Sequence, residues 1–329
     1  MKKTTIAMLG AGSWGTAVAV HLAKCGNPVL LWGHNLEHVK DMVEQRINSR
    51  YLPGIKFPDL LRPMINLEKC IQEADILIVA VPSHAFANLI NQLDEPQQGL
   101  AWLTKGVDPQ SHELLSQQVA KRWGEDFPVA IISGPSFALE VANFLPTALT
   151  LASNNSTYQK SIQTLLHSSN LRVYLSSDIV GVQLCGAVKN ILAIACGISD
   201  GLGFGANAKA ALITRGLAEM TRLGIKMGAR EETFMGLAGV GDLVLTCTDD
   251  QSRNRRFGLH LGNGVSISEA EAKIGQIVEG KYNAAQICAL AKQFQVEMPI
   301  CTQVNAVLKA EIDVQQATKN LMNRSPRDE

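Results

Sequence analysis

The chain has 329 residues, 46% hydrophobic and 18% charged, and its 30 basic and 30 acidic residues cancel to a formal net charge of zero. That length is generous for a single core and predicts two domains. A neutral balance lacks the basic excess that nucleic acid or an acidic lipid surface demands, so neither is expected as a partner. No run reaches the ~18 uninterrupted apolar residues of a membrane span, so no membrane insertion is expected either.

Met1-Lys2-Lys3 followed by a largely apolar run to Ala23 has the outline of a secretory signal. Gly10, Gly12, Ser13 and Gly15 interrupt that run, at a spacing with another explanation. The seven cysteines, at 25, 70, 185, 196, 247, 288 and 301, form no CxxC pair and are odd in number. They are expected to be buried thiols in a reducing compartment, with no disulfide framework and no metal site. The expectation is a soluble cytoplasmic protein.

Strand signals open the chain. Residues 4–9 read as a strand, 14–25 as a helix stopped by Gly26, Asn27 and Pro28, and Val29–Trp32 as the next strand. Residues 75–81, 100–104 and Val129–Ser133 are further apolar runs, continuous enough for strands buried on both faces of a parallel sheet. This alternation predicts a doubly wound α/β domain of the Rossmann type over 1–177. From Asp178 the helical period takes over, at 179–198, 207–223 and 303–320, and predicts a mostly helical second domain over 178–329. The polar tail 323–329 is expected to fray.

Gly10-Ala-Gly12-Ser-Trp-Gly15 follows the first strand and opens the first helix. In a dinucleotide site the first glycine makes the turn, the second admits the pyrophosphate to the backbone and the third lets helix and strand pack. The helix N-terminus then presents N–H groups and a positive dipole end to the phosphates. After the second strand comes Trp32-Gly33-His34-Asn35, with no acid before Glu37. An NAD-selective site usually places a carboxylate there on the ribose 2′-hydroxyl. Its absence favours NADPH, with NADH possible, and His34 is either a partner for the 2′-phosphate or a plain surface residue.

Lys189 lies on a helical stretch whose same-face neighbours are Cys185, Gly186, Leu192 and Ala193. Such a lysine either snorkels outward or serves proton transfer at a carbonyl, with Asn190 beside it as a second donor. Asp242 follows Gly236-Leu-Ala-Gly239-Val-Gly241 and reads alternatively as a helix N-cap. Gln251-Ser252-Arg253-Asn254-Arg255-Arg256 puts three arginines in one loop, either a phosphate clamp or a solvated basic loop. Lys105-Gly106 follows an apolar strand, where open α/β sheets bind ligands.

Together with Leu103-Thr-Lys105-Gly106, Ser133-Gly134-Pro-Ser136-Phe-Ala138, Gly186-Ala-Val-Lys189-Asn190 and Leu212-Ile-Thr-Arg-Gly216, these segments resemble the NAD(P)-dependent glycerol-3-phosphate dehydrogenases, the bacterial type most closely. The resemblance implies interconversion of dihydroxyacetone phosphate and sn-glycerol 3-phosphate, supplying phospholipid synthesis, with Lys189 as catalytic acid/base. It implies a substrate site of Lys105, Gly134, Ser136, Lys189, Asn190, Asp242, Thr246, Ser252, Arg253 and Asn254. Gly10, Gly12, Ser13, Trp14, Gly15, His34, Tyr51, Lys105, Ala138, Arg253, Ile277 and Glu279 would line the cofactor. A homodimer is implied by the resemblance alone. Thr248-Asp249-Asp250 departs from the serines and glycine that related chains often carry before Ser252. Two alternatives share parts of the pattern. A 6-phosphogluconate- or hydroxyisobutyrate-type dehydrogenase typically has paired asparagines after its lysine, where Leu192 and Ala193 stand here. A non-catalytic NAD(P)-binding sensor explains the glycine turn but not Lys189 with an arginine loop.

The missing acid yields a direct expectation. kcat/KM should be higher with NADPH than with NADH, and His34→Asp should shift the preference toward NADH by repelling the 2′-phosphate. A strong native preference for NADH, measured on the purified enzyme, would contradict this reading of the strand end.

Overall fold

In the computed structural model, which describes residues 3–325, the chain divides into two compact units. One takes the chain up to Lys105 together with Leu115–Val182; the other takes Gly106–Leu114 and everything from Gln183 onward. The tail expected to fray lies outside the described residues from Pro326, as do Met1 and Lys2 of the signal-like start.

The first unit begins β1 (Ile6–Leu9), α1 (Ser13–Lys24), β2 (Val29–Trp32), α2 (Leu36–Gln45), β3 (Ile47–Asn48), β4 (Leu52–Lys56), β5 (Leu61–Met64) and α3 (Leu67–Gln72). It continues with β6 (Ile76–Val79), α4 (Ser83–Ile90), β7 (Leu100–Trp102), α5 (Leu115–Trp123), β8 (Val129–Ser133) and α6 (Ala138–Ala142). It closes with β9 (Thr147–Ser153), α7 (Ser156–Leu166) and β10 (Leu171–Ser176). The main sheet runs β5-β2-β1-β6-β7-β8-β9-β10, and β3 and β4 form a separate antiparallel pair. Neighbours in the main sheet are parallel except β8 and β9.

The central strands are buried at every position: β1, β6, β7 and β8 expose none of their residues. Covered faces need apolar side chains on both sides, hence the continuous runs in the sequence. The edges differ. Leu61-Arg62-Pro63-Met64 and Leu171-Arg172-Val173-Tyr174 alternate buried and exposed, and Pro63 is tolerated because β5 pairs on one side only. The strand order reverses between β1 and β6, whose registers run from Ile6↔Ile76 to Leu9↔Val79. Ligands of open α/β sheets bind beyond the carboxyl ends of strands at such a reversal.

The second unit is built from α8 (Ile179–Gly201), α9 (Ala206–Lys226), α10 (Glu231–Phe234), a π-helical turn at Leu237–Gly241, α11 (Asp242–Thr248), α12 (Arg253–Gly262), α13 (Ile267–Ile274), α14 (Glu279–Gln293), α15 (Pro299–Leu308) and α16 (Val314–Met322). The helical stretch expected over 303–320 is two helices, separated by a turn in which Ala310 takes φ 56°. By length and composition α8 passes for a membrane span, yet most of it is buried inside the protein, as in a core helix. Burial of the thiols fails at two positions: Cys25 is exposed and Cys288 only half-buried.

Glu219 on α9 shows how these helices are joined. It is 3% exposed, and its carboxylate accepts from the N–H groups of Ile300 (2.7 Å) and Cys301 (3.3 Å) in the first turn of α15. Those N–H groups have no partner within their own helix, so the carboxylate satisfies them. Burial nevertheless pushes its pKa from 4.5 up to about 6, against the pull of these bonds and of Arg222. A raised carboxyl pKa means that the fold favours the protonated form. The associated stability is therefore present below about pH 4.5 and lost as pH rises through about 6. Glu219→Gln keeps the length and the acceptor for the shorter of the two bonds, and removes the titrating group. It should gain about 2 kcal/mol on the wild type between those pH values, read as diverging urea midpoints. Parallel stability-versus-pH curves would contradict the assignment.

Candidate active site

In the first unit the turn after β1 has the steric signature of a phosphate loop. Gly10 takes φ +133°, and a Cβ there would lie 2.6 Å from the Ala80 carbonyl carbon at the end of β6. At Gly15 a Cβ would lie 2.1 Å from the Gly10 oxygen, so helix and strand meet backbone to backbone. Gly12 is the opposite case: a Cβ there would meet nothing within 4 Å, which leaves open space above the turn. Gly12 caps α1 with no side-chain bond, and the first turn of the helix carries no acid. The Trp14 indole N–H is buried without a partner among the described residues. An open glycine, an uncapped helix N-terminus and a leftover donor suit the pyrophosphate of a dinucleotide.

The other residues expected around the cofactor are dispersed over both units. His34 is exposed just past β2, and the neighbouring Asn35 caps α2 by accepting from His38 N at 2.9 Å. Tyr51 is half-buried with the Arg50 guanidinium 5.3 Å above its ring. Ala138 opens α6, Ile277 is 41% exposed, and Glu279 opens α14. Among the expected substrate residues of this unit, Lys105 is half-buried and lies beyond the end of β7 at Trp102, so the strand is shorter than the sequence suggested. Gly134 takes φ +131°, and its carbonyl accepts from the Ser136 hydroxyl at 2.9 Å.

In the second unit Lys189 does not snorkel. It is 6% exposed, and its ammonium bonds the Asp242 carboxylate and, at 3.0 Å, the Thr246 hydroxyl. The Thr246 hydroxyl in turn donates to the Asp242 carbonyl at 2.6 Å. Asp242 is 1% exposed, so both charges of the pair are buried. The N-cap reading of Asp242 is corrected: Gly241 caps α11 without any side-chain bond, and Asp242 is the first residue of the helix. The π-helical turn just before it lies tightly against the end of α10, where a Cβ at Gly239 would come within 2.1 Å of the Phe234 oxygen. Next to the pair, a hydrogen bond with Cys196 and burial push the Cys247 thiol well above its ordinary range, so it adds no charge there.

Asn190 is committed rather than waiting. Its amide donates to Glu279 Oε2 at 3.1 Å, and its oxygen accepts from Asn254 Nδ2 at 3.0 Å. The Asn254 oxygen then takes the N–H of Gly280 at 2.9 Å, closing a polar ring over α8, α12 and α14. The ring is possible because these helices touch through glycine. A Cβ at Gly197 would lie 2.0 Å from the Arg255 oxygen, at Gly258 2.1 Å from the Ile194 oxygen, and at Gly280 2.5 Å from the Asn190 oxygen. Gly197 and Gly201 on α8 face Gly258 and Gly262 on α12, two spacings of four that put the glycines of each helix on one face. That paired spacing was the available sequence signal, and it was missed.

The three-arginine loop is also corrected. Arg253 onward is the first turn of α12, capped by Ser252, whose hydroxyl accepts from Arg255 N at 3.2 Å. Arg255 is 9% exposed and bonds Asp200 at 2.5 Å and also Asp250, while Asp200 holds Lys209 at 3.0 Å. Asp250, in the segment that departs from related chains, is thus a tether for Arg255. Arg256 points to solvent. Of the three, Arg253 is half-buried, its guanidinium donating to Gln276 Oε1 at 3.1 Å.

A doubly wound sheet with an open glycine turn, followed by a helical unit with a buried lysine–aspartate pair, defines a two-unit NAD(P)-dependent dehydrogenase. Comparison with known proteins narrows the class. Residues 5–159 match the family described as NAD-dependent glycerol-3-phosphate dehydrogenase N-terminus, and residues 178–319 match the corresponding C-terminus. A glycerol-3-phosphate dehydrogenase [NAD(P)+] of Legionella pneumophila strain Philadelphia 1 is 71% identical over 329 residues, covering 100% of both chains. One from Psychromonas ingrahamii is 51% identical, covering 98% of each. The crystal structure of glycerol-3-phosphate dehydrogenase from Coxiella burnetii superposes with a TM-score of 0.94 at 50% identity, over 98% of this chain and 99% of that one. The chain belongs to the NAD-dependent glycerol-3-phosphate dehydrogenase family. The hydroxy-acid dehydrogenase and sensor alternatives are left without support.

Proposed function

We propose that this chain interconverts dihydroxyacetone phosphate and sn-glycerol 3-phosphate in the cytoplasm as a homodimer that prefers NADPH, supplying glycerol 3-phosphate for phospholipid synthesis. The observation that carries the reading is the buried Lys189 ammonium held by Asp242 and Thr246 within the family's lysine motif. The proposed domains are 1–177 for the dinucleotide and 178–329 for substrate chemistry.

When bound, the dinucleotide supplies the hydride. Gly10, Gly12, Ser13, Trp14 and Gly15 receive its pyrophosphate, and His34, Tyr51 and Ala138 extend that surface in the first unit. Arg253, Ile277 and Glu279, and also Lys105, complete the proposed cofactor contacts. During reduction Lys189 stabilises the negative charge growing on the substrate's carbonyl oxygen and gives that oxygen a proton; in the reverse direction its neutral amine takes the proton back. Asp242 and Thr246 fix the ammonium, which matters because a proton donor has to be aimed before it is useful. Asn190 and Asn254 hold the wall beside it, Ser252 caps the turn that carries Arg253, and the Arg253 guanidinium meets the substrate phosphate. Lys105, Gly134 and Ser136 are proposed as further substrate contacts.

Phosphate recognition tests the substrate class. NADPH oxidation should be fast with dihydroxyacetone phosphate and slower by orders of magnitude with unphosphorylated dihydroxyacetone, because phosphate binding supplies orientation at the carbonyl. Arg253→Lys keeps the charge but loses the two-pronged geometry. It should raise the KM for dihydroxyacetone phosphate about tenfold, the worth of one charge-assisted hydrogen bond of ~1.5 kcal/mol. Equal turnover of the two ketones would rule the reading out.

A further inference from the structure

Asn48 belongs to neither set of expected site residues, yet it is fully buried at 0% exposure and uses its whole hydrogen-bonding capacity. Its Nδ2 donates to the Ala11 carbonyl at 2.9 Å and to the Thr16 hydroxyl at 2.8 Å. Its Oδ1 accepts from the Tyr51 N–H at 3.1 Å and pairs with His38 Nε2 at 2.9 Å. Two of these partners fix the orientation of the amide: a backbone carbonyl only accepts and a backbone N–H only donates. The amide nitrogen must therefore face Ala11 and the oxygen must face Tyr51, which makes His38 Nε2 a donor.

The partners themselves are informative. Ala11 lies between the first two glycines of the phosphate turn, and Thr16 is in the first turns of α1. A peptide unit is planar and trans, so its C=O and the next N–H point in opposite directions. Holding the Ala11 carbonyl against Asn48 aims the Gly12 N–H away from it. Gly12 is also the glycine above which the turn is open. On the other side Asn48 ends β3 and holds Tyr51 and His38, whose rings meet edge to face at 5.1 Å. A single side chain thus ties the glycine turn, the start of α1 and the β3–β4 hairpin together.

We propose that Asn48 is a positioning residue for the dinucleotide: it sets the peptide orientation of the phosphate turn and joins that turn to the Tyr51 segment. The proposal rests on the assignment of the glycine turn to NAD(P)H. Asn48→Asp preserves size but sets a carboxylate oxygen against the Ala11 carbonyl, so it removes both donors. The dissociation constants of NADPH and of ADP-ribose, which shares its pyrophosphate, should rise together by about tenfold or more, the scale of an orphaned buried polar contact. The KM for NADPH should rise with them, much further than kcat falls at saturating NADPH. Wild-type NADPH affinity in the folded N48D protein, whatever its melting temperature, overturns the proposal, since a purely structural asparagine predicts that result. If N48D does not fold, Thr16→Val removes one acceptor without changing shape. A several-fold weaker NADPH affinity then supports the proposal, and unchanged affinity overturns it. Failure of the wild type to bind NADPH would overturn the dinucleotide assignment itself, a result separate from any effect of Asn48.

Discussion

The second unit is arranged around one expensive act, the burial of a lysine ammonium at 6% exposure. An isolated charge in such a place would cost several kcal/mol, and Asp242, at 1% exposure, offsets that cost only if it arrives in contact. Asp242 is brought into contact as the first residue of α11, directly after a π-helical turn whose Gly239 lies against the Phe234 backbone. The glycines of α8 and α12 do the same on the other side, bringing Asn254 within 3.0 Å of Asn190. The positions without a side chain are thus the means by which polar side chains are brought together.

The first unit follows the same logic with a different result. Gly10 and Gly15 close the backbone on Ala80 and on each other, while Gly12 keeps open the space where a ligand is proposed to approach. Asn48 then fastens the turn from behind. In both units small residues determine which backbones meet, and an amide side chain locks the meeting in place.

How much of this was legible in the sequence follows from what leaves a local trace. The central strands, the glycine turn and the lysine on an apolar helix face were readable, because period, spacing and composition reflect burial on the residue's own element. The edge strands β5 and β10 were not, since their half-exposed patterns dilute the apolar signal and Pro63 argues against a strand. Nor was the fate of Arg255: a basic cluster looks the same whether it meets solvent or Asp200, and only the α8–α12 packing decides between them. The family resemblance put Lys189 and Asp242, 53 residues later, in one site, but their pairing left no trace in the sequence. Asn48 left no trace, because Ala11, Thr16 and His38 are brought to it only by the fold.

The central claim is that Lys189 carries the proton, and the Asp242 pair determines which substitution tests it. Lys189→Met would strand a buried carboxylate and confuse lost chemistry with lost stability. Lys189→Arg keeps a cation opposite Asp242, but a guanidinium is too weak an acid to give up its proton. The decisive measurement is kcat for dihydroxyacetone phosphate reduction by the Arg variant, taken alongside its melting temperature and NADPH affinity. A folded protein that binds NADPH, with kcat lowered by ~10² or more, is the predicted result. A kcat near that of the wild type would contradict the account and remove Lys189 from the mechanism.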